Sequence, residues 1–321
     1  MEHNPPRDSP CMMGAQPLLF SIVIPVHNRD HLISYTIDSV LKQTCGNYEI
    51  IVIDDSSTDN TPAILASYGK RITKLRLESR DPGINRNAGI ARARGDYIIF
   101  LDSDDILLPW ALQTYSAFLN HLNKPPILLA QAKGFRSNDE ITVLSQHNKN
   151  YQYYAYRDYL AKTNTVWLSA SHLIVKRSAL GSSFCFHEKT FPFDDLDFVL
   201  TLGCVGPFVL VQSPLTVLHR VHEDNAVKNI KTGLTKLEYI LERERQGIYP
   251  GGYSRRVERL SIIGGHVYHW SRRALKKGIF WGALRILFIG ARAIIALFFN
   301  KAAQILFFRK VKISSLDILN H

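Results

Sequence analysis

From Phe20 onward the chain alternates short apolar runs with amphipathic stretches. The run "FSIVIPV" (20–26) has the length and unbroken apolarity of a strand covered on both faces. The residues from about Asp30 to Gln43 predict an amphipathic helix after it, and "EIIVID" (49–54) repeats the strand signal. "TPAILASYG" (61–69) opens a helix with Thr61 as cap and Pro62 at the first helical position, and Gly69 stops it. A weaker strand over 74–78, a helix over 83–94 and the strand "YIIFLD" (97–102) complete a βαβαβαβ series. Such a series implies a parallel sheet with helices on both faces. Further on, "ALQTYSAFLNHLNKPP" reads as a helix ending in a turn, and "ILLAQAKGF", "EITVLSQ" and "VWLSASHLIVKRSAL" read as strands. "FHEKTFPFDDLDFVLTLG" becomes a helix entered by Asp194, Asp195 and Asp197, and "LTVLHRVHEDN" (215–225) a strand ending at His219, Arg220 and His222.

In open sheets of this kind, ligands bind beyond the carboxyl ends of the strands, where the strand order reverses. Those ends read "PVHNRD", "DDSSTDN" and "DSDD". Asp102, Asp104 and Asp105 crowd the end of a buried strand, where their repulsion is poorly screened, so a cation or an ordered network must offset it. The first turn has no Gly-rich phosphate loop, which argues against a dinucleotide site and a P-loop. Asp54 and Asp55 at one strand end and the 102–105 cluster at another can instead converge on a nucleotide and a divalent ion, because hard cations take oxygen ligands and bridge phosphates. Taken singly, Asp54 and Asp55 read as well as a solvated turn or cap, and Arg86 as a helix-surface charge. Asp105 is expected to cap the segment running to Pro109.

The ordered series "SIVIPVHNR", "EIIVIDDSSTDNT" and "GINRNAGIARARGDYIIFLDSDD" resembles the inverting glycosyltransferases of family 2, densely over residues 20–110 and more thinly to 225. The resemblance implies an α/β fold of the GT-A type, a Rossmann-like nucleotide-binding sheet followed by an acceptor region. Asp102-Ser103-Asp104 is similar to the DxD motif of that family. It therefore implies Mn²⁺ or Mg²⁺ held against the diphosphate of a nucleotide sugar, with Asp104 as the direct ligand and Asp102 on the ribose or a metal-bound water. By the same resemblance Pro25 and its successors border the base, Asp55 with Asp54 beside it binds uracil or ribose, and Arg86 faces the diphosphate. The family's "ED" pair at a helix start supplies the catalytic base as its second member. Asp195 falls there, with Asp194 where Glu is usual and with Asp194 and Asp197 as the other candidates. Acidic residues in a first helical turn also simply favour the helix dipole. His222 resembles a basic element that contacts the diphosphate or completes the metal shell, ahead of His219, although a lone His is often an ordinary residue.

The implied reaction is inverting transfer from a nucleotide-sugar donor, expected to be a UDP-sugar, to a glycan or lipid-linked acceptor in cell-surface polysaccharide synthesis. A sugar nucleotidyltransferase shares the architecture but needs a Gly-rich activating loop, which "PVHNRD" lacks. A catalytically inactive GT-A module serving as a membrane-bound scaffold is the other alternative, and the intact aspartates speak against it.

Composition adds a second theme. A chain of 321 residues, 46% hydrophobic, can bury a full core. Cys11, Cys45, Cys185 and Cys204 form no CxxC pair, which points to a reducing compartment rather than to a disulfide frame or zinc site. Residues 1–17 hold four prolines and no apolar signal core, and are expected to be a disordered leader. The net charge of +11 is concentrated between Lys231 and Lys312, where 17 Lys and Arg face 4 Asp and Glu. Within that region "GIFWGALRILFIGARAIIALFFNKAAQILFF" (278–308) is very apolar, yet its longest charge-free stretch is eight residues, too short for a spanning helix. Arg285 and Arg292 fall on one helical face and Lys301 on the opposite one, which predicts a break near Asn300. The expectation is a helix pair lying on an anionic membrane surface, flanked by "SRRALKK" and "FRK", with the enzyme peripheral on the cytoplasmic side of the cell membrane. A packed C-terminal bundle with its arginines in water is the alternative. No nucleic-acid motif accompanies the charge, so nucleic acid is not an expected partner. The resulting division is a leader (1–17), a nucleotide-sugar half (18–110), an acceptor and catalytic half (111–230) and a basic amphipathic helical extension (231–321).

Overall fold

The structure, a computed structural model, describes residues 17–145, 148, 150–163, 168–181, 185–222, 229–307 and 314–316. All but Pro17 of the expected leader and the "FRK" flank of the tail, with Arg309, lie outside the described residues.

The chain runs β1 (Phe20–Val26), α1 (Ile33–Leu41), β2 (Tyr48–Asp55), α2 (Thr61–Ser67), β3 (Thr73–Leu77), α3 (Pro82–Arg92) and β4 (Tyr97–Phe100). It continues through β5 (Ile106–Leu107), α4 (Ala111–His121), β6 (Ile127–Leu129), β7 (Ala132–Phe135), α5 (Asn138–Leu144), β8 (Tyr151–Tyr156), β9 (Leu173–Lys176), α6 (Asp194–Thr201), β10 (Phe208–Ser213) and β11 (Val217–Arg220). The last elements are α7 (Ile230–Arg245), α8 (Arg256–Lys276), α9 (Phe280–Ile289), α10 (Ala291–Phe307) and β12 (Ser314–Leu316).

The main sheet has the order β12-β8-β10-β6-β9-β4-β1-β2-β3. β1 pairs in parallel with β2 on one side and with β4 on the other, so the strand order reverses at β1 and opens a crevice between β1 and β4. Beyond β4 the sheet is mixed, because β9 runs antiparallel to both β4 and β6. The apolar runs are continuous because both faces are covered. Ile22, Ile24, Ile50, Val52 and Ile99 face one core with α1 and α4, while Val23, Ile51, Ile53, Ile98 and Phe100 face the other with α6 to α8. A small sheet, β5-β11-β7, stands at the carboxyl end of the crevice.

Several expectations need correction. "EITVLSQ" is not a strand: the backbone forms α5, because Ser137 and Glu140 make a capping box whose reciprocal bonds outweigh the β-branched composition. "ILLAQAKGF" divides into β6 and β7, which belong to different sheets, and of "VWLSASHLIVKRSAL" only β9 is strand among the described residues. Thr61 is not the cap of α2 but its first residue. Its N–H donates to Asp59 Oδ1 at 2.9 Å, and its hydroxyl instead accepts from Arg29 N at 3.0 Å, tying the β1–α1 loop to α2. The helix expected to break near Asn300 breaks at Gly290, where α9 and α10 meet at a 68° bend. Arg285 and Arg292 therefore sit on different helices. The extension is also no loose appendage, since Leu237, Ile263, Val267, Ala283, Ile286 and Ala293 belong to the same core as the sheet.

Candidate active site

A cavity of about 370 Å³ lies at the carboxyl ends of β1, β2 and β4, at the reversal of strand order. Each of three strand-end loops places a non-glycine residue in the left-handed region: Asn28 (φ 48°), Ser56 (φ 51°) and Arg80 (φ 54°). Local hydrogen bonds hold these conformations, which cluster where a ligand would sit. Asn28 Oδ1 accepts from Thr58 N at 2.8 Å, and His27 Nδ1 lies 2.6 Å from Asp55 O, so the ends of β1 and β2 are bound to one another.

Pro25, His27, Arg29 and Asp55 line the cavity. Asp55 accepts from Ser79 N (2.8 Å), Arg80 N (3.0 Å) and Asn85 Nδ2 (2.9 Å). Burial opposes its charge, but these donors hold its carboxyl below the usual range. Asp54 is placed differently. Its carboxylate accepts from Arg76 Nη1 at 2.7 Å and Ser57 N at 2.9 Å, and it is not among the residues around the cavity.

The 102–105 cluster resolves into three environments. Asp102 accepts from Arg86 Nη2 at 2.6 Å and remains 28% exposed in the cavity. Asp104 also lines it, with Oδ2 2.8 Å from His222 Nε2. Burial works against ionisation of Asp104, yet the bond to His222 and the charges of Arg29 and His219 lower its pKa. Asp105 is fully buried and does not cap a run to Pro109. It accepts from Arg220 N at 3.0 Å and lies 3.1 Å from His219 Nδ1, joining β11 to the β4–β5 turn. Burial pushes Asp105 up to about 6. His219 rises to about 9 despite its own burial, because Asp105 and the neighbouring carboxylates favour the imidazolium. The ordered network that the clustered charges require is therefore present.

Arg86, buried in the first turns of α3, donates to Asp102 and, through Nη1, to Asp194, and its guanidinium lies 5.3 Å over the Phe186 ring. Burial opposes its charge and the two carboxylates outweigh that, so it stays protonated. Asp195 is the second residue of α6, next to Asp194, and lines the cavity. Its Oδ1 accepts from Leu196 N at 2.6 Å, and it has no ion-pair partner among the described residues. Burial first, and the charge of Asp194 second, raise its pKa well above the ordinary carboxylate value. Asp197 points away into the core, where Arg243 Nε and Tyr249 Oη hold it.

Asp102, Asp104, Asp194, Asp195 and Arg86 are thus brought together around one cavity, with Asp55 and Pro25 on its β1–β2 side. The donor set suits a hard divalent cation. Among the described residues no cluster of three His, Cys, Asp or Glu could cage a metal alone, whereas Asp104 with His222 against it and Asp102 nearby offers a partial shell of the kind substrate phosphates and water complete. His27, Arg29, Asn85 and Ser103 also line the cavity and were not singled out from the sequence, although each directly adjoins a strand-end or helix-start signal. Val26, Pro82 and His219 line it too, and Leu168, Ser169, Ala170, Phe191 and Pro192 complete its wall, with nothing in the local pattern of these last five to announce it.

The family model described as glycosyl transferase family 2 matches residues 21–184. A poly(ribitol-phosphate) beta-glucosyltransferase of Bacillus spizizenii is 41% identical over 121 residues, which cover 36% of this chain and 19% of that protein. The minor teichoic acid biosynthesis protein GgaA of Bacillus subtilis is 38% identical over 117 residues, covering 33% of this chain and 26% of that protein. Both likenesses therefore span well under a third of the relatives' own lengths. Among solved structures, residues 1–349 of Staphylococcus aureus TarS in complex with UDP-GlcNAc superpose with a TM-score of 0.65 at 18% identity, over 93% of this chain and 97% of that one. At that identity the likeness is one of fold. The mannosyltransferase PcManGT of Pyrobaculum calidifontis, in complex with GDP-Man and Mn²⁺, gives a TM-score of 0.51 at 15% identity over 92% of this chain and 89% of that one.

Proposed function

The chain belongs to glycosyl transferase family 2 and has the GT-A fold, and we propose that it moves a sugar from a UDP-sugar to a hydroxyl of a glycan or lipid-linked polymer, with inversion at the anomeric carbon. The observation that carries the reading is Asp195, a half-buried carboxylate without an ion-pair partner among the described residues, lining the same cavity as Asp102 and Asp104. A base needs that combination of reach, a raised pKa and an unoccupied oxygen.

In this reading Pro25, His27 and Asp55 border the nucleoside at the ends of β1 and β2, and Asp54 acts through the β2–β3 link to Arg76 rather than on the ligand. Asp104, with Asp102 and His222, would hold Mn²⁺ or Mg²⁺, which when bound supplies positive charge for the departing diphosphate. Asp195 accepts the proton of the acceptor hydroxyl as that oxygen bonds to the anomeric carbon. The bond from carbon to the diphosphate oxygen breaks in the same displacement, and its electron pair leaves on the nucleoside diphosphate. Arg29, which lines the cavity without an ion-pair partner among the described residues, and the imidazolium of His219 stabilise that leaving charge. Arg86 orients Asp102 and Asp194, since both its terminal nitrogens are already engaged by them.

The relatives named for poly(ribitol-phosphate) and teichoic acid favour a cell-surface polymer of that kind as the acceptor class, and the UDP-GlcNAc complex of TarS favours a uridine nucleotide. We place the reaction at the cytoplasmic side of the cell membrane, where a lipid-linked acceptor would be presented. A panel of UDP- and GDP-sugars, scored by thermal shift with and without Mn²⁺, tests the donor side. A true donor raises the melting midpoint by mass action, and no response to any of them would remove the reading.

A further inference from the structure

α9 and α10 carry apolar side chains on two opposite faces, and folding accounts for only one. The inner face is small and fully buried, with Ala283, Ile286 and Ala293 at 0% exposure. It is seated closely: a Cβ at Gly264 of α8 would stand 2.1 Å from Ala293 O, so α8 and α10 approach backbone to backbone with no room for a side chain between them. The outer face recurs at helical spacing as Trp281, Leu284 and Phe288 on α9 and as Ile295, Phe298 and Phe299 on α10. Trp281 and Phe288 are 85% exposed and the other four between 56% and 68%. Helices apolar all round belong in a core or a bilayer, and these are in contact with the core on one side only.

Charge decides what meets the other side. From Arg259 to Phe307 the sequence holds eight Lys and Arg and no Asp or Glu. Of these, Arg292 and Lys301 are exposed on α10 itself, and Arg272, Lys276 and Lys277 are exposed along the end of α8 and the turn into α9. Arg285 is held by Glu238 of α7 at 2.8 Å. A second copy pressed against this face would set cations against cations, whereas an anionic surface complements them. No single helix among the described residues is long and apolar enough to cross a membrane, and the two helices are bent by 68° where they join. Exposed Trp and Phe interleaved with basic residues on short helices match the interfacial layer of a bilayer, where aromatic rings sit at headgroup depth.

We infer that the outer face of α9 and α10 is a docking surface for anionic phospholipid headgroups and the adjoining acyl layer. Its role in bringing the enzyme to a lipid-linked acceptor rests on the transferase reading; the binding itself does not. Trp281, Phe288 and Phe298 enter the interface, while Arg292, Lys301 and the Arg272–Lys277 group engage phosphate.

The test is vesicle flotation of the full chain with phosphatidylcholine alone and with added phosphatidylglycerol, at low and high salt, with UDP-sugar affinity measured on the same samples. The full chain should bind the phosphatidylglycerol vesicles at least tenfold better than the neutral ones and release them as salt rises. Trp281→Ser/Phe288→Ser should lower binding to the anionic vesicles at least tenfold with an unchanged melting midpoint. Arg292→Glu/Lys301→Glu should remove the preference for phosphatidylglycerol. Equal binding to both vesicle types, no binding to either, or full binding by both variants would overturn the proposal. So would a dimer in sedimentation equilibrium that the aromatic double variant dissociates while vesicles are ignored, which would make the face a contact between copies. Lost flotation with intact UDP-sugar affinity counts against this surface alone, and flotation without any UDP-sugar affinity counts against the transferase reading alone.

Discussion

Arg243 Nε donates to Asp197 Oδ1 over 2.7 Å, and Tyr249 Oη donates to the same oxygen over 2.6 Å. α7 and the turn after it therefore grip α6 two residues beyond Asp195, deep in the core. Arg243→Ala would strand a buried carboxylate and should cost about 3–5 kcal/mol of stability. Tyr249→Phe, which removes one bond to a charged acceptor, should cost about 2 kcal/mol. Urea unfolding measures both. In the milder variant, transfer should fall while UDP-sugar affinity is kept, because α6 loses a support and the nucleotide side does not. An unfolding midpoint unmoved in Arg243→Ala would show that the grip is incidental.

Asp195→Asn should leave donor binding intact and lower transfer by about 10² to 10⁴, the range for loss of a general base. The pH profile follows from the raised pKa of Asp195. A base works only when ionised, so a raised pKa moves the acid limb of kcat/KM upward, and activity should already decline well above about pH 4, where ordinary carboxylates titrate. Asp195→Asn should lack that limb. A profile flat down to the ordinary carboxylate range would assign the base elsewhere.

Metal dependence is read by calorimetry of UDP. If Asp104 holds the ion as proposed, chelation of the wild type and Asp104→Asn should give the same weak affinity, since each would remove the ion from between the diphosphate and the strand end. His222→Gln should fall between, about 10-fold to 100-fold weaker than wild type, as expected for loss of a group that orients a ligand carboxylate. Identical affinity in Mn²⁺ and in EDTA would leave Asp104 and His222 as a structural pair.

Gly264→Ala tests the seating of α10. Its Cβ would meet a backbone carbonyl that cannot rotate aside, so α8 and α10 must separate. A loss of about 1–3 kcal/mol is expected, as for other overpacked positions, visible as a lowered melting midpoint. An unchanged midpoint would mean that the helices adjust without strain.

The first half of the fold is readable because both faces of its central strands, β1, β2 and β4, are buried. Ile22 to Val26 and Ile50 to Ile53 could only be apolar, and Pro62 and Gly69 stand at the two ends of α2. Asp55, Asp102, Asp104, Asp194, Asp195 and Arg86 converge on the cavity because strand ends and helix starts are where a sequence shows its polar chemistry. Other features escaped because they are settled at a distance. That Asp54 turns to Arg76 while Asp55 faces the cavity depends on the β2–β3 pairing, and the partnership of Asp105 with His219 joins residues 114 apart. "EITVLSQ" looks like a strand because its four β-branched or apolar positions, Ile141 to Leu144, conceal a cap three residues upstream. In the tail, both faces of α9 and α10 are apolar, so periodicity had no phase to report, and Gly290, not Asn300, takes the bend.

β12 returns to the sheet and pairs antiparallel with β8, setting Ser314 opposite Tyr153 and Ser315 opposite Gln152. The pairing occupies what would otherwise be an open sheet edge. The last described elements thus reach two separate places, α10 lying on α8 at Gly264 and β12 lying along β8, so that removing them would uncover a helix surface and the Tyr151–Tyr153 backbone together.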